Sequence, residues 1–185
     1  MEETGCTSQV FSTQEFREAL GLFATGIAVV TATTEGRDRI GATVSSFNSV
    51  SLDPPLVLFS MARTSKALPA WQSVPHFAVN VLAEHQDATS TKFARALGDK
   101  WEGARCVEGG NGAPLLPDSL ATFECARYAN YDGGDHVIIV GRVLAVRVRK
   151  RADAVPLIFF RSKYRRLAGE GDHQPTYGSH GVYGW

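Results

Sequence analysis

Positions 41–61 read GATVSSFNSVSLDPPLVLFSM, where small and hydroxyl-bearing residues surround a short apolar run. A strand usually carries bulky side chains at alternate positions. Small ones let a flat ligand lie close to the backbone and leave peptide N–H groups to bond it. Thr43, Ser45 and Ser46 would then offer hydroxyls and amides to a ring system rich in acceptors. The same pattern also suits a Ser/Thr-rich edge strand that faces water. The densest basic stretch, Arg161-Ser162-Lys163-Tyr164-Arg165-Arg166, reads either as a solvated helix face or loop or as an anion-binding segment. Serine, histidine and aspartate are all present, but no GxSxG elbow occurs, which argues against a hydrolase of that type. Cys6, Cys106 and Cys125 are far apart, form no CxxC, and have no zinc-like spacing with histidine. They read as reduced thiols of a cytoplasmic protein, and no metal site is expected.

These residues need elements to position them. At residues 12–24 (STQEFREALGLFA), Ser12 and Glu15 have capping-box spacing, and Phe16, Ala19, Leu20 and Phe23 share one helical face. Thr25-Gly26 is the expected stop. Residues 27–34 (IAVVTATT) and 39–47 read as a hairpin around the turn 35–38. Pro54 and Pro55 cannot donate to a ladder, so they belong at the entry of a strand over 56–60. Residues 65–71 suit a short helix, 76–82 (HFAVNVL) a strand, and 84–97 a polar helix. The Gly- and Pro-bearing segment 102–117 reads as a loop. Strands follow at 121–128, at 136–148 with a bend at Gly141, and at 155–160. Short strands with few helices predict a mainly β fold, a closed antiparallel barrel with peripheral helices. Nothing alternates as βαβ and no GxGxxG follows a first strand, so a Rossmann dinucleotide site is not supported.

The chain has 185 residues, enough for one domain to bury a core. Its formal net charge is zero, which disfavours nucleic-acid binding through phosphate neutralisation. The acidic start MEETGCTSQV lacks a signal-like apolar core, and no apolar run approaches the ~18 residues of a membrane span. Two parts are expected: a domain over 1–168 and a Gly- and His-rich tail over 169–185 that is mobile or orders on a partner subunit.

Five segments together resemble the short-chain flavin reductases, the reductase partners of two-component flavin monooxygenases. They are TGIAVVTA (25–32), GATVSSFNSVSLDPPLVLFSM (41–61), HFAVNVLAEHQ (76–86), GDHVIIVGRVLAV (134–146) and PLIFFRSKYRRL (156–167). The resemblance implies an FMN-binding split β-barrel, a homodimer, and NADH- or NADPH-driven reduction of FMN or FAD that then leaves for a monooxygenase. It places flavin contacts at Thr43, Val44, Ser45 and Ser46, although many relatives have Asn at the position of Ser45. It places further contacts at Ser60, Met61, Ala62, Arg63 and Ser65, with Arg63 as a phosphate clamp beside the hydroxyls of Thr64 and Ser65. Asn80, Val81 and Leu82 would meet the ring edge, and Lys92 and Phe93 would cover it. His136, in Gly134-Asp135-His136, is the implied nicotinamide-side group. Arg161 and Tyr164 would steer phosphates or cover the stacked rings. Chemistry of this kind is hydride transfer, which the cofactors perform while the protein stacks two rings within roughly 3–3.5 Å. The few carboxylates of the motif blocks agree with a step that needs no general acid. For a 2′-phosphate on the nicotinamide cofactor, Arg37, Arg39, Arg161 and Arg165 all qualify. A barrel that keeps its FMN and acts on a small organic substrate, and a non-catalytic flavin- or haem-binding barrel, are the alternatives.

Overall fold

The structure, a computed structural model, describes residues 10–95, 98–149 and 154–167. The expected tail lies outside them. The capping box forms at the start of α1 (Thr13–Leu20): the Glu15 N–H donates to Ser12 Oγ at 3.1 Å, and the Ser12 N–H donates to Glu15 Oε2 at 2.7 Å. The helix ends at Gly21, earlier than expected, because the chain turns there and Gly21 O accepts the Arg161 N–H at 2.9 Å. Thr25-Gly26 is instead a two-residue strand, β1 (Thr25–Gly26).

The hairpin appears as β2 (Ala28–Thr33) and β3 (Arg39–Val44), followed by β4 (Asn48–Leu52) and β5 (Pro55–Ala62). Pro55 is the first residue of its strand, where a missing N–H does least harm. Next come α2 (Leu68–Ser73), β6 (His76–Val81), a 3-10 turn at Glu84–Gln86, and α3 (Asp87–Ala94). The expected loop contains two short strands, β7 (Val107–Glu108) and β8 (Pro114–Leu115). A long hairpin follows, β9 (Ala121–Gly133) and β10 (His136–Val148), then β11 (Ile158–Phe160) and β12 (Lys163–Arg165). The basic stretch is therefore neither a helix nor a plain loop. Arg161 and Ser162, at φ 49° and 59°, make the turn of a β11–β12 hairpin.

Seven strands pair antiparallel in the order β3-β2-β6-β9-β10-β5-β4. β1, β11 and β12 form a second sheet. The molecule is mainly β with few helices. Among the described residues the ladder does not return from β4 to β3, so both are end strands. The bend expected at Gly141 is present as a register shift between Val140 and Gly141.

β2 is buried on both faces because it separates two clusters. Ala28, Val30 and Ala32 face a core built around Phe59, Trp71 and Phe77, whose rings meet edge to face at 5.4 to 5.5 Å. Val29 faces a second cluster with Leu82, Phe93, Leu116 and Leu157. Phe93 on α3 is thereby fixed over the β2–β3 hairpin.

Candidate functional site: a cleft along an open strand edge

β3 has a strand partner on the β2 side alone among the described residues. On the other side Lys100 Nζ donates to Gly41 O at 3.1 Å and to Phe93 O at 3.0 Å, so the Gly41 peptide turns away from β2. Alternation along an antiparallel ladder turns the Thr43 peptide the same way. This open edge borders a cleft of about 610 Å³. Its walls are Arg39–Thr43 (39–43), the end of β5 and the following loop (Met61, Ala62, Thr64, Ser65), Phe93, and Trp101. Apolar surface comes from Ile40, Met61, Ala67, Phe93 and Trp101, and cationic groups from Arg39, Lys66, Arg95 and Lys100, against Asp99 alone as an acid. Phe93 stands edge-on to Trp101 with ring centres 4.9 Å apart. Burial lowers the pKa of Lys100 from its ordinary value, as expected for an ammonium half removed from water. An apolar floor beside a cationic rim fits a planar ring carrying a phosphate, the donor set a flavin requires.

The β9–β10 turn stands at the end of β5. His136 lies opposite Ala62 in the β10–β5 register, and the Arg63 N–H donates to Asp135 O at 2.9 Å. His136 Nδ1–H donates to Asp135 Oδ1 at 2.7 Å, which fixes the ring and leaves Nε2 for a ligand. That hydrogen bond, then the charge of His136, holds the Asp135 carboxyl below its ordinary pKa. Asp132 is lowered first by the Gly134 N–H and then by the Arg63 charge.

Of the residues named from the sequence, Thr43, Met61, Ala62, Ser65 and Phe93 line the cleft. The Thr43 hydroxyl, however, donates to Ser90 O at 2.6 Å, which leaves its peptide rather than its hydroxyl hydrogen toward the cleft. Tyr164 Oη donates to Ser90 Oγ at 2.8 Å and so reaches the same turn of α3. Ser45 is exposed just past β3, and Val44 points into the core. Ser46 Oγ accepts the Ser60 N–H at 2.9 Å, which closes that amide to a ligand.

Other expected contacts fall elsewhere for clear reasons. β6 pairs with β2, so β2 stands between it and the cleft. The Asn80 amide is fully engaged inside the core: Nδ2 donates to Val29 O and Thr31 Oγ1, and Oδ1 accepts the Leu116 N–H. Leu82 is buried in the second cluster, and Val81 lies beside it in the ladder. Lys92 Nζ donates to Glu102 O, away from the cleft. Arg63 does not act as a free clamp, since Nε donates to Gly134 O at 2.7 Å and one Nη pairs with Asp132 at 3.0 Å. Arg161 lies over the Phe160 ring and borders a groove beside α1. Lys66, Arg95, Lys100 and Trp101 were not legible as site residues. Lys100 reaches Gly41 across 59 positions of chain, and no local pattern encodes that contact.

The chain belongs to the flavin reductase like domain family, whose model matches residues 20–168. It is 47% identical over 158 residues to the FMN reductase (NADH) SmoA of Agrobacterium fabrum, covering 85% of this chain and 87% of that protein. Identity to the HsaB reductase subunit of a flavin-dependent monooxygenase from Rhodococcus jostii is 37% over 158 residues, covering 85% of this chain and 79% of that protein. Among solved structures, the NADH:FAD oxidoreductase SgcE6 of Streptomyces globisporus C-1027, in complex with NAD and FAD fragments, superposes with a TM-score of 0.80 at 34% identity, covering 86% of this chain and 94% of that one. The chain spans 45% and 61% of two longer relatives from Rhizobium meliloti. No helix among the described residues is long and apolar enough to cross a membrane.

Proposed function

We propose that this protein is an NAD(P)H-dependent flavin reductase that reduces FMN or FAD and supplies the reduced flavin to a partner monooxygenase. The observation that carries the reading is the cleft on the open edge of β3, apolar within and cationic at its rim, in a chain of the flavin reductase family. A flavin held in the cleft would supply the hydride-accepting chemistry, with the reduced nicotinamide as donor. The protein's part is to bind and to orient. The outward peptide of Thr43 would meet the edge of the ring, and Met61, Ala62 and Phe93, which line the cleft, would flank it. Lys66 and Arg95 would hold phosphate, since Lys100 is tied to the Gly41 and Phe93 carbonyls and Arg63 to the β9–β10 turn. N–H donors at such an edge stabilise negative charge that grows on the ring, as an oxyanion hole does. His136, held by Asp135, orients the nicotinamide from the end of β5.

Four further features belong to the same reading. The strands wrap into a split barrel, closed by side chains where the ladder is open. Ser46 bonds across to Ser60, the Phe47 ring lies 5.5 Å from Phe123, and Val44 and Phe59 share one core. Residues 1–168 form the domain and 169–185 a separate tail. The protein is a homodimer, since α1 carries no buried residue while Phe16, Leu20 and Phe23 are exposed on and beside it. It works in the cytoplasm.

Steady-state oxidation of NADH and NADPH, with FMN, FAD and riboflavin varied in turn, tests the proposal. The rate should rise with added flavin and saturate. NADH oxidation that ignores added flavin would overturn it.

A further inference from the structure

A second cavity, also about 610 Å³, shares Arg39 with the cleft. It is bounded by Thr33, Arg37 and Arg39 of the β2–β3 hairpin, by His76, and by the loop that carries Asn111 and Pro114. Arg39 borders both cavities, so they are neighbours at one residue. Its guanidinium lies 5.9 Å from the centre of the Trp101 ring, itself a wall of the cleft.

We propose that this second cavity receives the adenylate half of a dinucleotide, with Arg39 and Arg37 binding the phosphates that join the two halves. The inference rests on the flavin reductase reading and deepens it by naming the ligand class. Three observations carry it. The volume is that of a small-molecule pocket, about 300–1,000 Å³. Among the described residues no carboxylate lies within salt-bridge distance of Arg37 or Arg39, whereas Arg63, Arg147 and Arg149 each have one. A forked guanidinium donates in pairs to phosphate oxygens, and here Arg39 borders both cavities while Arg37 lines the second.

The loop is also pre-shaped for the task. Arg37 sits at φ 66°, its N–H donates to Thr34 O at 2.9 Å, and the Asp38 N–H donates to Thr34 Oγ1 at 3.1 Å. The opposite wall is fixed as well: Asn111 Nδ2 donates to Phe77 O and Cys125 O, and its N–H donates to the buried Glu124 carboxylate. Glu108 is the one acid of the lining, and it stands on exposed β7.

FAD and NADH both carry an adenylate half, and mononucleotide counterparts separate them. Arg37 is outside the first cleft, so Arg37→Ala leaves that cleft intact; Arg37→Gly removes the cation while suiting the positive φ. Titration with FAD and FMN, and the KM for NADH against reduced nicotinamide mononucleotide with FMN as acceptor, form the two arms. In both variants one dinucleotide should weaken about tenfold while its mononucleotide stays within about twofold, the loss expected of one charge-assisted contact. A selective loss for FAD assigns the cavity to the flavin, and a selective loss for NADH assigns it to the hydride donor. Equal losses for dinucleotide and mononucleotide, or none, overturn the proposal even if the wild-type protein reduces FMN. A wild-type protein that neither binds flavin nor oxidises NADH overturns the parent reading as well.

Discussion

Gly41 is small because of its neighbour within the protein. A Cβ there would stand 2.6 Å from two Phe93 ring carbons and 3.3 Å from Trp101, so the glycine lets an aromatic wall lie against β3. In the opening stretch, then, Gly41 serves packing, while Thr43, two positions on, borders the cleft. His136 is a residue of the other kind, half-exposed and tethered to Asp135, with nothing to pack. His136→Ala should slow NADH oxidation by about tenfold or more, the cost of a misplaced donor, while the flavin Kd moves less than about twofold. Stopped-flow rates beside a fluorescence titration separate the two; lost binding with unchanged turnover per bound flavin would refute the role. The turn next to it also has a pH signature. Asp132 and Asp135 have folded pKa values lowered below their ordinary ones, so their contribution is present above the unfolded carboxylate range and is lost as pH falls through the lowered values. Thermal melts between neutral and acid pH should show Asp132→Asn losing less stability on acidification than wild type. An identical acid slope would mean that the turn contributes nothing.

At the scale of elements, the β9–β10 hairpin is the arm that carries His136 to the end of β5, and Gly141 lets it bend. A Cβ at Gly141 would lie 2.3 Å from Phe77 Cζ and 3.0 Å from Cys125 Cβ, inside the core. Gly141→Ala should therefore destabilise by about 1–3 kcal/mol, the usual cost of overpacking. Gly26→Ala is the control, because nothing lies within 4 Å of the added methyl. Urea unfolding reads both; equal midpoints would show that the core yields freely. The same crowding explains Cys125, whose thiol is pushed up to about 12, first by burial and then by the Glu124 charge.

For the whole molecule, the unresolved demand is apolar surface. α1 buries none of its residues, and Phe16, Leu20, Leu22 and Phe23 remain about half or more exposed on or after it. A helix with that face needs a partner surface to be stable. Sedimentation velocity at micromolar concentration should find a dimer, and Leu20→Asp should shift it toward monomer while far-UV circular dichroism keeps its β signature. A wild-type monomer at all concentrations would remove the homodimer from the proposal.

Sequence patterning determined the elements that local chemistry dictates: the capping box at Ser12, the hairpin around positions 35–38, the long strand from His136 and its bend at Gly141. It also gave the family, because TGIAVVTA, SVSLDPPLV and GDH recur in fixed order. It did not give Gly21 as the end of α1 or the β11–β12 hairpin, since both depend on partners distant along the chain. Tertiary structure alone decided which polar groups remain for a ligand. Asn80 and Arg63 have the right types for a cofactor contact, yet the first is saturated by β2 and the second by the β9–β10 turn. Lys66 and Arg39 carry no motif and still stand at the cleft. A hydrogen-bonding group can serve a ligand where folding has left it without a partner, and that is settled by packing between segments tens of residues apart.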